Sequence, residues 1–128
     1  MALYLLGTNI ISDAIRNTQG ACATRIGQAA PEDLCTSIIV AAELRFGAEK
    51  KGSRELTERI ERALSGLSVK TLGADADHCY GKLRADLERR GQLIGANDML
   101  IAAHALVMDA ILVTDNVAEF SRVHGLTV

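Results

Sequence analysis

A chain of 128 residues suits one domain (1–128) of ordinary size. Apolar residues make up 48% of it and aromatics only 3%, so Leu, Ile, Val and Ala must fill the core, and a single proline with no low-complexity run excludes a disordered tail. The net charge of −2, from 14 basic and 16 acidic residues, shows no overall basic excess of the kind nucleic-acid-binding domains often carry and leaves open only a local basic face.

In chain order, Leu3-Tyr-Leu-Leu6 reads as a short buried strand, and Thr8 or Asn9 is placed to cap a helix through Ile10, Ile11, Ala14 and Ile15. A second helix from Ala21 to Ala29 stops before Pro31. Leu34-Cys-Thr-Ser is the second strand, and Ser37 caps a helix from Ile38 to Glu49 that ends on Lys50, Lys51 and Gly52. Ser53 opens a helix whose Leu56, Ile60, Leu64 and Leu67 recur at helical spacing, closed by Gly66. Ser68 to Leu72 is the third strand. Asp75 or Asp77 caps the next helix, with Ala76, Cys79, Tyr80, Leu83 and Leu87 on one face and Arg89-Arg90-Gly91 at its end. A nearly all-apolar helix from Asn97 follows, then an apolar strand at Ile111, a short helix near Phe120 and a terminal strand at Leu126.

Strands alternating with helices predict an α/β fold: a three-layer α/β/α sandwich around a parallel sheet, with the first strand central. The three cysteines, Cys22, Cys35 and Cys79, are odd in number with no Cys-x-x-Cys pair, and read as reduced thiols in apolar settings. No apolar run reaches membrane-spanning length and no signal-peptide pattern opens the chain, which predicts a cytoplasmic protein without membrane contact.

Ligand sites of such sheets lie outside the carboxyl ends of the strands. Position 7 ends the first strand, Glu43 sits on the helix after the second, Asp98 opens the apolar helix and Asp115 ends the fourth strand, so all four fall on one rim. Clustered carboxylates repel unless a cation joins them, and hard oxygen ligands suit Mg²⁺ or Mn²⁺. Plainer roles stand beside this one. Asp98 can cap its helix, and Asp115 with Asn116 can form a turn. Glu43, flanked by Ala41, Ala42 and Leu44, is the acid that such roles explain least, because an unpaired carboxylate on an apolar helix is costly. Gly7 needs no more than a strand-to-helix turn, and Thr8 and Asn9 are good caps beside the rim. His78, His104 and His124 share no metal spacing and read as structural. Lys50, Lys51, Arg54, Arg84, Arg89 and Arg90 read as solvated helix faces. No phosphate loop, dinucleotide fingerprint or serine or cysteine triad is present.

Leu5-Leu-Gly-Thr-Asn-Ile-Ile11, Ala42-Glu-Leu-Arg-Phe-Gly-Ala48, Asn97-Asp-Met-Leu-Ile-Ala-Ala-His-Ala105 and Val113-Thr-Asp-Asn-Val-Ala-Glu-Phe120, in that order, resemble the motif series of the PIN domain, and more closely that of VapC toxins from bacterial toxin–antitoxin pairs. The resemblance spans essentially the whole chain. It implies a Mg²⁺- or Mn²⁺-dependent endoribonuclease acting on tRNA or another translation-related RNA. It also implies a homodimer held inactive in a hetero-oligomer with a VapB-type antitoxin, which alone touches DNA. It makes Glu43, Asp98 and Asp115 catalytic metal ligands, Asn116 and Glu119 neighbours able to share the role of Asp115, and Thr8 and Asn9 supporting residues. The family pattern at the first motif is Leu-Asp-Thr-Asn, whereas this chain has Gly7 in place of the aspartate, so the resemblance implies an impaired copy. The alternative is a PIN-fold binding module that holds a partner helix without cutting RNA. A receiver-type phosphoacceptor domain ranks lower, because Gly7 and Gly73 occupy the turns where its acids would stand.

Overall fold

A computed structural model describes residues 2–128. Four strands form one parallel sheet: β1 (Tyr4–Leu6), β2 (Leu34–Ser37), β3 (Ser68–Lys70) and β4 (Ile111–Val113), in the order β3-β2-β1-β4. Leu5 pairs with Cys35 on one side and Leu112 on the other, so β1 is central, as the strand–helix alternation predicts. Successive side chains of a strand face opposite sides of a sheet. Leu5 and Leu6 are both buried, and so is every residue of Leu34–Ser37; both faces are therefore covered, and the molecule has three layers.

The covering helices are α1 (Thr8–Arg16), α2 (Ala21–Gln28), α3 (Ile38–Lys51), α4 (Arg54–Ser65), α5 (Ala76–Arg89), α6 (Ala96–Val107) and α7 (Val117–Phe120). Local chemistry sets several of their ends. The Ser37 Oγ accepts from the Ile39 N–H at 3.1 Å and starts α3, and Ser53 does the same for Leu56 at 3.2 Å and starts α4. Gly52 ends α3 in the left-handed region (φ 65°), its N–H donating to the Ala48 and Glu49 carbonyls. The apolar run of α6 is buried from Ile101 to Ala105 and packs against α5, α3 and β4.

Five expectations change. Neither Thr8 nor Asn9 caps α1; Gly7 takes the cap position without a side-chain bond, and the two polar side chains reach across the site instead. Asp75 likewise holds its cap position without a side-chain bond. The third strand stops at Lys70, where the sheet edge is exposed. No strand forms at Leu126: the end of the chain keeps one tie to the sheet, from the Leu112 N–H to the Thr127 carbonyl at 2.9 Å. Arg90 is also no freely solvated residue. Its guanidinium donates to Asp86 at 2.7 and 3.0 Å and to the Arg122 carbonyl at 2.6 Å, fastening the end of α5 to the segment after α7.

Of the histidines only His104 is buried; its Nδ1 meets the Ser37 Oγ at 2.8 Å, while Nε2 has no hydrogen-bond partner among the described residues. All three cysteines are free; Cys35 is buried, and Cys22 and Cys79 are half-buried. No helix among the described residues is long and apolar enough to cross a membrane.

Candidate active site

The chain leaves β1 toward β2 and β3 on one side of the sheet and returns to β4 on the other. The order therefore reverses between β1 and β4, the place where a parallel sheet opens a crevice at its carboxyl ends. A cavity of about 170 Å³ lies there. Gly7, Glu43, Asp98 and Asp115 all line it, together with Thr8, Asn9 and Asn116. Ile101, Leu112 and Phe120 supply its apolar wall.

Each acid is held differently. Glu43, one turn into α3 and half-buried, accepts the Thr8 hydroxyl at 2.5 Å on one oxygen and makes a long contact, 3.5 Å, with the Asn97 amide on the other. Asp115 is exposed just past β4 and accepts from the Asn9 amide at 3.3 Å. Asn116 closes the following turn, its N–H donating to the Thr114 Oγ1 at 3.0 Å. Asp98, third in α6, does not cap the helix; Gly95 holds that position with no side-chain bond. Its carboxylate instead lies back over Gly95, where a Cβ would come within 3.3 Å of it. Burial pushes the Asp98 carboxyl above its ordinary range, and the charges of Glu43 and Glu119 push it further. Glu119 thus acts on the site through its field, from the first turn of α7.

Position 7 is tight. Gly7 is extended (φ −78°, ψ 171°), a conformation open to any residue, and its N–H donates to the Val113 carbonyl at 2.9 Å. A Cβ here would stand 3.0 Å from that same oxygen, so a side chain requires a shift of a few tenths of an ångström between β1 and β4.

The donor set matches a hard divalent cation in kind, since three carboxylates border one cavity and one of them, Asp98, resists ionisation, first through burial and then through the charges of Glu43 and Glu119. It falls short in number. No three His, Cys, Asp or Glu side chains among the described residues converge closely enough to hold an ion, and position 7 contributes no side-chain oxygen.

Sequence reasoning missed Asn97 and Thr114. Asn97 was legible only as the neighbour of Asp98, because its partner Glu43 is 54 residues away.

The same residues carry the family relationship. The PIN domain family matches residues 4–126. This chain belongs to the PIN-domain family. Ribonuclease VapC1 of Haemophilus influenzae strain R2866 is 40% identical over 129 residues, covering 97% of this chain and 94% of the relative. A tRNA(fMet)-specific endonuclease VapC of Shigella flexneri is 35% identical, covering 98% and 96%. Among solved structures, VapBC2 of Rickettsia felis bound to a promoter DNA fragment contains a chain that superposes with a TM-score of 0.88 at 35% identity, over 98% of this PIN domain and 96% of that chain.

Proposed function

We propose that this PIN domain is a VapC-type toxin, a metal-dependent endoribonuclease, whose activity is impaired in the present sequence by Gly7. The observation that carries the reading is a cavity at the sheet's reversal point bordered by Glu43, Asp98, Asp115 and position 7. Glu43, Asp98 and Asp115 would become ligands of Mg²⁺ or Mn²⁺ once position 7 carries a carboxylate and the side chains close around the ion, with Asn116 and Glu119 beside Asp115 in sequence to share its role. A bound ion supplies a water of lowered pKa and stabilises charge developing on a phosphodiester. The chain's own residues prepare for this: Thr8 and Asn97 fix the two oxygens of Glu43, Asn9 steadies Asp115, and the apolar wall keeps bulk water from the buried side of Asp98.

RNA as substrate rests on the named activity of the relatives, and tRNA or another translation-related RNA on the Shigella protein; a cytoplasmic reaction is part of the same reading. A VapB-type antitoxin as partner rests on the solved VapBC complexes and on a groove of about 390 Å³ between α1, α3 and α4. Ile15, Leu44, Leu56 and Ile60 give that groove an apolar side that suits an amphipathic helix. In this reading the toxin forms a homodimer, joins the antitoxin in a hetero-oligomer, and meets DNA only through it. Gly7 itself favours a second reading, a PIN-fold module that binds its partner without cutting RNA.

Gly7→Asp decides between the two. The variant should cleave RNA in an EDTA-sensitive way and slow bacterial growth in the absence of antitoxin, and Asp98→Asn added to it should abolish both effects. Gly7→Ala, which adds the Cβ without the carboxylate, should gain nothing. Equal behaviour of all four proteins, each folded, would overturn the nuclease reading and leave the binding module.

A further inference from the structure

The groove between α1, α3 and α4 is continuous with the acidic cavity, since Thr8, Asn9 and Glu43 line both. From there it runs along α1 and α3 to Arg16 and Lys51, the last residues of the two helices. Eight residues separate Glu43 from Lys51 and seven separate Asn9 from Arg16. At the helical rise Lys51 therefore stands roughly 12 Å along its helix from Glu43, and Arg16 roughly 10 Å from Asn9.

These two cations are set apart from other unpaired ones, such as Lys50 and Arg54, by lining the groove. Arg45, Arg59, Arg89 and Arg90 are each paired with a carboxylate. Arg16 and Lys51 have no acidic partner among the described residues; the Arg16 Nε makes only a long contact with the Ser12 carbonyl, at 3.4 Å. Cations at helix carboxyl ends offset the helix dipole, but Lys50 does that equally well and does not line the groove. Gly47 and Ala48 keep the path between acids and cations free of bulk.

We infer that Arg16 and Lys51 form a phosphate-holding pair for the backbone of single-stranded RNA, gripping the strand a few nucleotides from the bond presented to the acidic cavity. This rests on the ribonuclease reading and assigns the direction in which the substrate leaves the site: along α1 and α3, over Gly47. A strand so held has its negative charge met at the far end of the groove, while the acids near Glu43 repel it unless a cation intervenes.

The test is equilibrium binding of a short fluorescein-labelled single-stranded RNA to the chain in EDTA, where no cleavage occurs, across a salt series. Arg16→Gln with Lys51→Gln should weaken binding roughly tenfold at low salt. It should also flatten the plot of log affinity against log salt by about 1.4, two contacts at ~0.7 each. Lys50→Gln with Arg54→Gln removes the same charge beside the groove and should leave the slope near that of the parent. Equal losses in both double variants would mean a diffuse field and overturn the pair. Unchanged RNA binding in Arg16→Gln/Lys51→Gln, with weakened binding of a poly-glutamate peptide, would assign the cations to an acidic protein segment and also overturn it. No RNA binding by the parent, together with no cleavage by Gly7→Asp, would remove the ribonuclease reading itself; cleavage by Gly7→Asp that is insensitive to the Arg16 and Lys51 changes would remove only the pair.

Discussion

The Thr8 hydroxyl donates to the Glu43 carboxylate at 2.5 Å, tying the first turn of α1 to α3 across 35 residues. A carboxylate held by a hydroxyl is fixed in orientation, and a half-buried one that loses its donor is left partly unsatisfied. Thr8→Val should therefore cost about 1–2 kcal/mol of stability, within the range for hydrogen bonds to charged groups discounted for partial exposure. In the Gly7→Asp background it should also lower RNA cleavage, and Thr8→Ser should restore most of both. Denaturant unfolding and a cleavage assay check it; a valine variant as stable as its parent would show the bond to be idle.

Asp98 sits where its own charge opposes stability. Its folded-state carboxyl is harder to ionise than in the unfolded chain, first because of burial and then because of Glu43 and Glu119. The folded state therefore binds its proton more tightly, and the stability this gives is present in acid and lost as pH rises through the raised pKa. Asp98→Asn resembles the protonated form. In metal-free buffer at neutral pH it should raise Tm by a few degrees, with the gain shrinking toward acid as the parent's carboxyl protonates. A variant no more stable than the parent at neutral pH would contradict the repulsion.

His104 carries the opposite sign. Burial lowers its pKa from the ordinary 6.5, against a smaller opposing pull from the Thr71 backbone, and its Nε2 makes no hydrogen bond of good geometry among the described residues. The folded state keeps the ring neutral while the unfolded chain takes up a proton below that ordinary value, so stability falls as pH drops through it. Urea midpoints should decline between about pH 7.5 and about 5.5, and His104→Gln should flatten the decline even though it costs stability overall. An equally steep decline in the glutamine variant would place the sensitivity elsewhere.

Arg90 holds the end of the chain. Arg90→Ala releases both Asp86 and the Arg122 carbonyl, and amide exchange over 121–128 should accelerate. Arg90→Lys should recover only part of the protection, because an ammonium cannot serve the carboxylate and the carbonyl with one planar fork. Unchanged exchange in the alanine variant would mean that the Leu112–Thr127 bond suffices alone.

Much of this was legible wherever the cause lies close in sequence. Ser37 and Ser53 cap helices that start one residue later, Gly52 stops a helix it directly follows, and the apolar run from Met99 to Ala105 had nowhere to go but the centre. The gathering of Glu43, Asp98 and Asp115 around one cavity followed from strand–helix alternation and the rule for sheet edges. What was illegible depends on partners far along the chain. Thr8 looks like a cap until Glu43 claims its hydroxyl, Asn97 looks like a helix start until it reaches the same carboxylate, and Arg90 looks solvated until Arg122 folds over it. Leu126-Thr-Val128 has residue types common in strands, but a single backbone bond nearby does not make one.

The bonds that hold the acids join residues 35, 54 and 106 positions apart, the last of them from Asn9 to Asp115. Contacts of such long sequence separation are closed late in folding, after the entropy of large loops has been overcome. A chain emerging from the ribosome has Asn9, Thr8 and Glu43 in hand long before Asp115 is synthesised. The site is thus complete only in the finished chain, after an interval of synthesis and docking in which its acids are present but not yet assembled.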